Sequence, residues 1–140
     1  DYVTSPDWLV FLPDTDQLVS FERRSAVLRA ALNWYPGRRH ELRTRLQFIG
    51  LEAFDGVDFE RNRVGDLART SAVPAPFRVG EFGLQLRYRF EFKPLSELFV
   101  VYSRGGMAAD GEERDLGGLA NAAFDNKTAD QFLVKLRYQF

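Results

Sequence analysis

Cysteine is absent from this 140-residue chain, histidine and methionine occur once each, and tryptophan only twice. Without thiols there is neither a disulfide framework nor a thiolate metal site. No apolar run approaches the ~18 residues of a spanning helix, and a 28% charged composition excludes a helical membrane protein. That absence leaves membrane barrels open, because their strands are only half apolar. Net charge is also small: 19 Lys and Arg against 20 Asp and Glu leave −1 and give no reason to propose nucleic acid as a partner. The opening Asp1-Tyr2-Val3 carries neither Met nor a signal-like stretch, which reads as a removed leader or the tail of something longer.

What is plentiful is aromatic: thirteen Phe and five Tyr. They concentrate in segments that alternate. At the C-terminus, Phe132, Val134, Leu136, Tyr138 and Phe140 share one face, and Gln131, Leu133, Lys135, Arg137 and Gln139 the other. A strand sends successive side chains to opposite faces, so residues 130–140 read as a two-faced strand of spanning length. A soluble sandwich or lipocalin strand would show the same pattern with its apolar face turned inward.

The rest of the chain decides between these. Residues 1–17, with Trp8 to Leu12 between two turns, read as an outer loop or partial strand. Residues 18–34 read as a strand with Ala26, Leu28, Ala30, Leu32 and Trp34 on one face, and a bulge is expected around Phe21 to Arg24. Tyr35-Pro36-Gly37-Arg38 gives a tight turn. Residues 39–52 place Leu42, Thr44, Leu46, Phe48 and Gly50 opposite Glu41, Arg43, Arg45 and Gln47. A long polar stretch, 53–76, follows. Residues 77–92 carry the clearest alternation, Phe82 through Phe92 against Glu81, Gln85, Arg87, Arg89 and Glu91. After a Lys93-Pro94-Leu95-Ser96 turn, 97–104 is a strand whose faces the sequence does not assign. A Gly- and Asp-rich loop over 105–128 leads to the terminal strand.

Connections thus alternate between long and short, and Trp34, Tyr35, Phe90, Phe92, Tyr138 and Phe140 gather at the short-turn end. Short periplasmic turns, long outer loops and an interfacial aromatic girdle are the layout of an outer-membrane β-barrel. The expected fold is therefore all-β, an antiparallel transmembrane barrel segment of about five meander strands. Five strands close no barrel, since the smallest have about eight. The remaining strands must come from upstream sequence or another chain, because open edges in lipid strand backbone groups.

With the strands placed, the chain resembles a family of large outer-membrane barrels of unknown function that carry a carbohydrate-binding-module-like domain ahead of the barrel. The resembling residues are Asn33-Trp34, Pro36-Gly37, Glu41-Leu42-Arg43, Gln47, Gly50 and Gln85-Leu86-Arg87-Tyr88-Arg89-Phe90. Pro94-Leu95-Ser96, Val101 to Gly106 and Leu133 to Tyr138 complete them. The resemblance implies location in a Gram-negative outer membrane and an architecture, without an activity. Resemblance to the barrel class further implies that Phe132, Val134, Leu136, Tyr138 and Phe140 form the signal read by the barrel-assembly machinery.

The chemistry available is that of the inward row: Arg29, Glu41, Arg43, Arg45, Gln85, Arg87, Arg89, Lys135 and Arg137. A net-basic lumen favours anionic solutes in a channel, whereas Arg and Glu on neighbouring strands also pair to stiffen the wall. Loop acids (Asp14 and Asp16, Asp55 and Asp58, Asp110 with Glu112 and Glu113) lack calcium-loop spacing and read as solvated charge. His40, beside a turn and without a Ser or Asp partner, reads as a hydrogen-bonded turn residue, which argues against an enzyme. Gly105-Gly106 and Gly117-Gly118 read as loop glycines. The expectation is a channel or transport-related barrel, without cofactor. Its surroundings would be outer-membrane lipid and lipopolysaccharide. The alternative is a structural or accessory barrel whose outer loops bind a partner protein or a surface glycan.

Overall fold

A computed structural model describes residues 1–12, 17–61, 66–110 and 115–140. Among the described residues, seven strands and one helix follow in the order β1 (Tyr2–Leu12), β2 (Gln17–Gly37), β3 (His40–Arg61), β4 (Leu67–Arg69), β5 (Phe77–Lys93), β6 (Ser96–Asp110), α1 (Leu116–Asp125) and β7 (Lys127–Arg137). All pairings are antiparallel, in the spatial order β1-β2-β3-β5-β6-β7, with β4 added to β3. The sheet is open, with β1 and β7 at its edges.

Several elements exceed their sequence signals. Residues 2–12, expected as an outer loop or partial strand, are a full strand paired to β2. β3 continues to Arg61 and β6 to Asp110, well into stretches that read as loops. Ladder hydrogen bonds carry them on where alternation lapses, because backbone pairing does not depend on side-chain pattern. The terminal ladder ends at Arg137 rather than Phe140. There Gln139 N donates instead to the buried Ser96 Oγ at 3.1 Å. Register shifts fall between Ser20 and Glu22 and between Ser5 and Trp8, close to the expected bulge.

Register fixes the faces. Leu28, Phe48, Phe82 and Gly106 lie in one cross-strand row, as do Leu32, Thr44, Leu86, Tyr102 and Phe132. β6 is thereby assigned: Leu98, Val100 and Tyr102 join the apolar face, Phe99, Val101 and Ser103 the other. Much of the apolar face is uncovered, with Leu28, Leu32, Trp34, Phe132, Val134 and Leu136 all more than half exposed.

Buried apolar residues form two small clusters toward the end of the sheet away from the tight turns. On the apolar face, α1 seats Leu119 and Ala123 against Ala108, with Phe82 and Leu116 beside them. Residues 105–128, expected as a loop, contain the end of β6 and this helix. Asp115 caps α1 by accepting from Gly118 N at 2.8 Å. The strand glycines beneath let the helix approach: a Cβ at Gly106 would fall 1.8 Å from Ala123 O, and one at Gly80 2.8 Å from Leu119 Cγ. Gly106 is therefore a strand residue under a helix, and Gly117-Gly118 belong to the helix's first turn. Arg104 locks the far end, donating from Nη2 to Phe124 O at 2.6 Å with its guanidinium 4.0 Å over the Phe124 ring. On the opposite face, Val19, Phe21 and Ala53 are buried with Trp8, Val10 and Phe77 against them.

Both tight connections are two-residue turns. Gly37 pairs with His40, so the first turn is Arg38-Arg39 and Pro36 sits in a strand irregularity, where its missing N–H removes no ladder bond. Lys93 pairs with Ser96, leaving Pro94-Leu95 as the second turn. Leu95 takes φ 63° there, a left-handed conformation that costs a β-carbon ~1–2 kcal/mol. Because Leu95 is 61% exposed, little packing depends on its side chain. Leu95→Gly is expected to stabilise the fold by ~0.5–1 kcal/mol, after allowing for glycine's freer unfolded chain. The midpoint of guanidinium unfolding would show it; an unchanged or lower midpoint counts against strain at this turn.

Candidate functional site: the polar face of the sheet

The polar face is built by the odd-numbered positions of β2, β3 and β5. Register sets Arg29 opposite Gln47, Ala31 opposite Arg45, and Asn33 opposite Arg43. Across the next ladder Glu41 faces Arg89, Arg43 faces Arg87, and Arg45 faces Gln85. Further out, Gln85 faces Ser103 and then Gln131. These rows line a groove of about 610 Å³ crossing five strands, with Arg29, Arg45, Gln47, Gln85, Ser103 and Gln131 among its walls. A Cβ added at Gly83 in this groove would meet nothing within 4 Å.

Nearer the tight turns, a second hollow of about 370 Å³ is bounded by Glu41, Arg43, Arg87, Arg89, Phe99 and Val101. Glu41 is its organising group. The carboxylate accepts from Arg43 Nε, lies 3.2 Å from Arg89 Nε in an ion pair, and accepts from the Tyr35 hydroxyl at 3.4 Å. Arg89 Nη1 in turn donates to Glu97 Oε1 at 3.2 Å. Glu41 itself is buried, so its charge depends on these partners for the solvation it has lost. Arg87 stands directly across from Arg43 and, among the described residues, forms no ion pair with these acids; like charges so placed repel.

Of the residues singled out in the sequence, Arg29, Arg45 and Gln85 meet at the large groove, and Glu41, Arg43, Arg87 and Arg89 at the smaller hollow. Lys135 and Arg137 lie apart on edge strand β7, opposite Phe99 and Glu97. Phe132, Val134 and Leu136 line the exposed apolar face of β7. Tyr138 and Phe140 follow the strand and close a ladder of rings. His40 stacks on Phe90 at 4.6 Å, Phe90 neighbours Phe92 at 6.3 Å, Phe92 stacks on Tyr138 at 6.3 Å, and Tyr138 meets Phe140 edge-on at 5.1 Å. His40 Nδ1 and the Tyr88 hydroxyl share a 2.7 Å hydrogen bond, so the imidazole is a partnered turn residue.

One acid departs from its sequence reading. Asp58 is 3% exposed and lies in β3, where solvated loop charge was expected. Its strand continues past the loop-like Asp55-Gly56, and Thr70 folds back to bond it at Oδ2, 3.0 Å. Asp14, Asp16, Glu112 and Glu113 lie outside the described residues. Among the described residues no three His, Asp or Glu side chains stand close enough to hold a metal ion. No family model, curated protein or solved structure matches this chain.

Glu41→Gln keeps the shape of the side chain and removes its charge, leaving Arg89 facing a neutral amide. A loss of about 2 kcal/mol in unfolding free energy is expected. Equal stability of the two proteins in a denaturant titration would mean that the carboxylate is not the hub of this cluster.

Proposed function

We propose that this chain is wall of an outer-membrane β-barrel with a channel or transport role, and that the groove face lines its lumen. The observation that carries this reading is the pairing of one exposed apolar face with one charged, grooved face on the same open sheet. In water, the exposed Leu28, Leu32, Trp34, Phe132, Val134 and Leu136 gain little from folding and leave a large apolar patch open to association; facing acyl chains they are removed from water. The strand from Phe82 to Phe92 rises ~34 Å, which at the usual ~40° tilt gives a height near the ~25 Å of a bacterial barrel's apolar band. The ring ladder from His40 to Phe140 then sits as an aromatic girdle at the short-turn end. Open edges at β1 and β7 require further strands, which upstream sequence or another chain would supply. The likeness to barrels bearing a carbohydrate-binding-module-like domain belongs to the same proposal.

The lumen row does two things in this reading. Glu41 with Arg43 and Arg89 braces the wall, while Arg29, Arg45 and Arg87 leave positive charge toward the groove and favour anions. The second reading, an accessory barrel binding a partner or glycan by its outer segments, is favoured by α1, because an ordered helix builds a defined surface there.

Trp34 reports on the location of the apolar face. In a Trp8→Phe background, brominated lipids should quench Trp34 fluorescence strongly and iodide weakly. The opposite ranking removes the membrane reading. Channel activity is tested in planar bilayers, where the double variant Arg45→Glu, Arg87→Glu should lower the anion-to-cation permeability ratio by about ten-fold. Absence of any conductance from the parent protein would instead favour the accessory role.

A further inference from the structure

The end of the polar face remote from the tight turns holds a separate hollow of about 460 Å³, within the size range of small-molecule sites. Val10, Val19, Phe21, Pro74 and Phe77 make its walls apolar. Phe21 and Phe77 meet edge-on at 5.4 Å, and Trp8 packs on both, 6.5 Å and 6.1 Å away. Val73, 82% exposed, stands at its border with solvent. One charged group lines this apolar space, Asp58.

Asp58 is held firmly. Its backbone carbonyl accepts from Thr70 N at 2.9 Å and its Oδ2 from the Thr70 hydroxyl at 3.0 Å. Oδ1 is buried and has no hydrogen-bond partner. Among the described residues no cation forms an ion pair with this carboxylate. Arg23, on the same face, directs its guanidinium over the Trp8 ring at 5.6 Å. A desolvated carboxylate oxygen without a donor is costly, and Gln17, the one side-chain amide lining the hollow, does not bond it. A cationic donor arriving from outside would satisfy it, and aromatic walls suit an apolar body attached to that cation.

We propose that this hollow binds a small organic cation, its ammonium donating to Asp58 Oδ1 and its aromatic or branched aliphatic body resting on Phe21, Phe77 and Val19. The site is distinct from the arginine-lined groove, takes ligands of the opposite charge, and does not rest on the membrane reading. Thr70 acts as a positioning residue by holding Oδ2 of a carboxylate that lines the cavity, which leaves Oδ1 as the oxygen without a donor.

Phenethylamine is a suitable probe and phenethyl alcohol its neutral isostere. In a Trp34→Phe background, Trp8 is the remaining indole and reports on the walls. Titration of the purified full-length protein should give a saturable change in Trp8 emission with the amine, and a response at least about ten-fold weaker with the alcohol. Asp58→Asn should weaken the amine by a similar factor and leave the alcohol unchanged. Should that variant fail to fold, Val10→Trp fills the hollow while leaving the carboxylate in place, and phenethylamine binding to it, followed by calorimetry, should be lost. Equal binding of amine and alcohol, no saturation up to about 10 mM amine, or undiminished amine binding after either substitution overturns the proposal.

Discussion

Backbone pairing between neighbouring strands is the constraint on which this structure depends. Among the described residues only Val19, Phe21, Phe48, Ala53, Ala108, Leu119 and Ala123 are buried hydrophobics, in a sheet whose strands reach 22 residues. A core that small does not offset the conformational entropy of ordering so long a chain. What runs the length of the molecule is the ladder: β3 is paired with β2 along one side and with β5 and β4 along the other, and β5 with β3 and β6. The edges at β1 and β7 are where that pairing stops. In a bilayer, unpaired donors and acceptors there have no water to turn to, so the proposed setting demands that further strands complete the wall.

The ladder also couples the two faces. Side chains alternate with a period of two, so a slip of one residue between β3 and β5 would turn Arg87 and Arg89 outward and Tyr88 and Phe90 into the groove. The Glu41 cluster makes such a slip expensive, because it joins β3 to β5 and, through Arg89 and Glu97, to β6. The charged row therefore has a structural part in fixing register besides any part in solute passage. Arg43 and Arg87, set opposite each other, show that not every charge is placed for stability.

At the end away from the tight turns the sheet changes character. The alternation gives way on one face to glycines and alanine that admit α1, and on the other to Trp8, Phe21 and Phe77 around a buried carboxylate. The helix had a trace in the sequence: Leu116, Leu119 and Ala123 recur at helical spacing behind the N-cap Asp115. Two glycines in its first turn and a single stretch of ten residues kept that trace below the level of a loop rich in Gly and Asp. Asp58 had none, since its burial depends on Thr70 returning from twelve residues away and on aromatics from β1, β2 and β5.

By itself the sequence determined the antiparallel, all-β meander and the two-faced alternation of β2, β3, β5 and β7. Each of these follows from side-chain alternation and turn chemistry within one short segment. Tertiary structure alone decided which arginines share a hollow, that β1 is a strand, and how far β3 and β6 extend. It also decided that Tyr138 and Phe140 complete a ring ladder begun at His40. These outcomes depend on register between strands distant in sequence, and no single strand carries its partner's register in its own pattern.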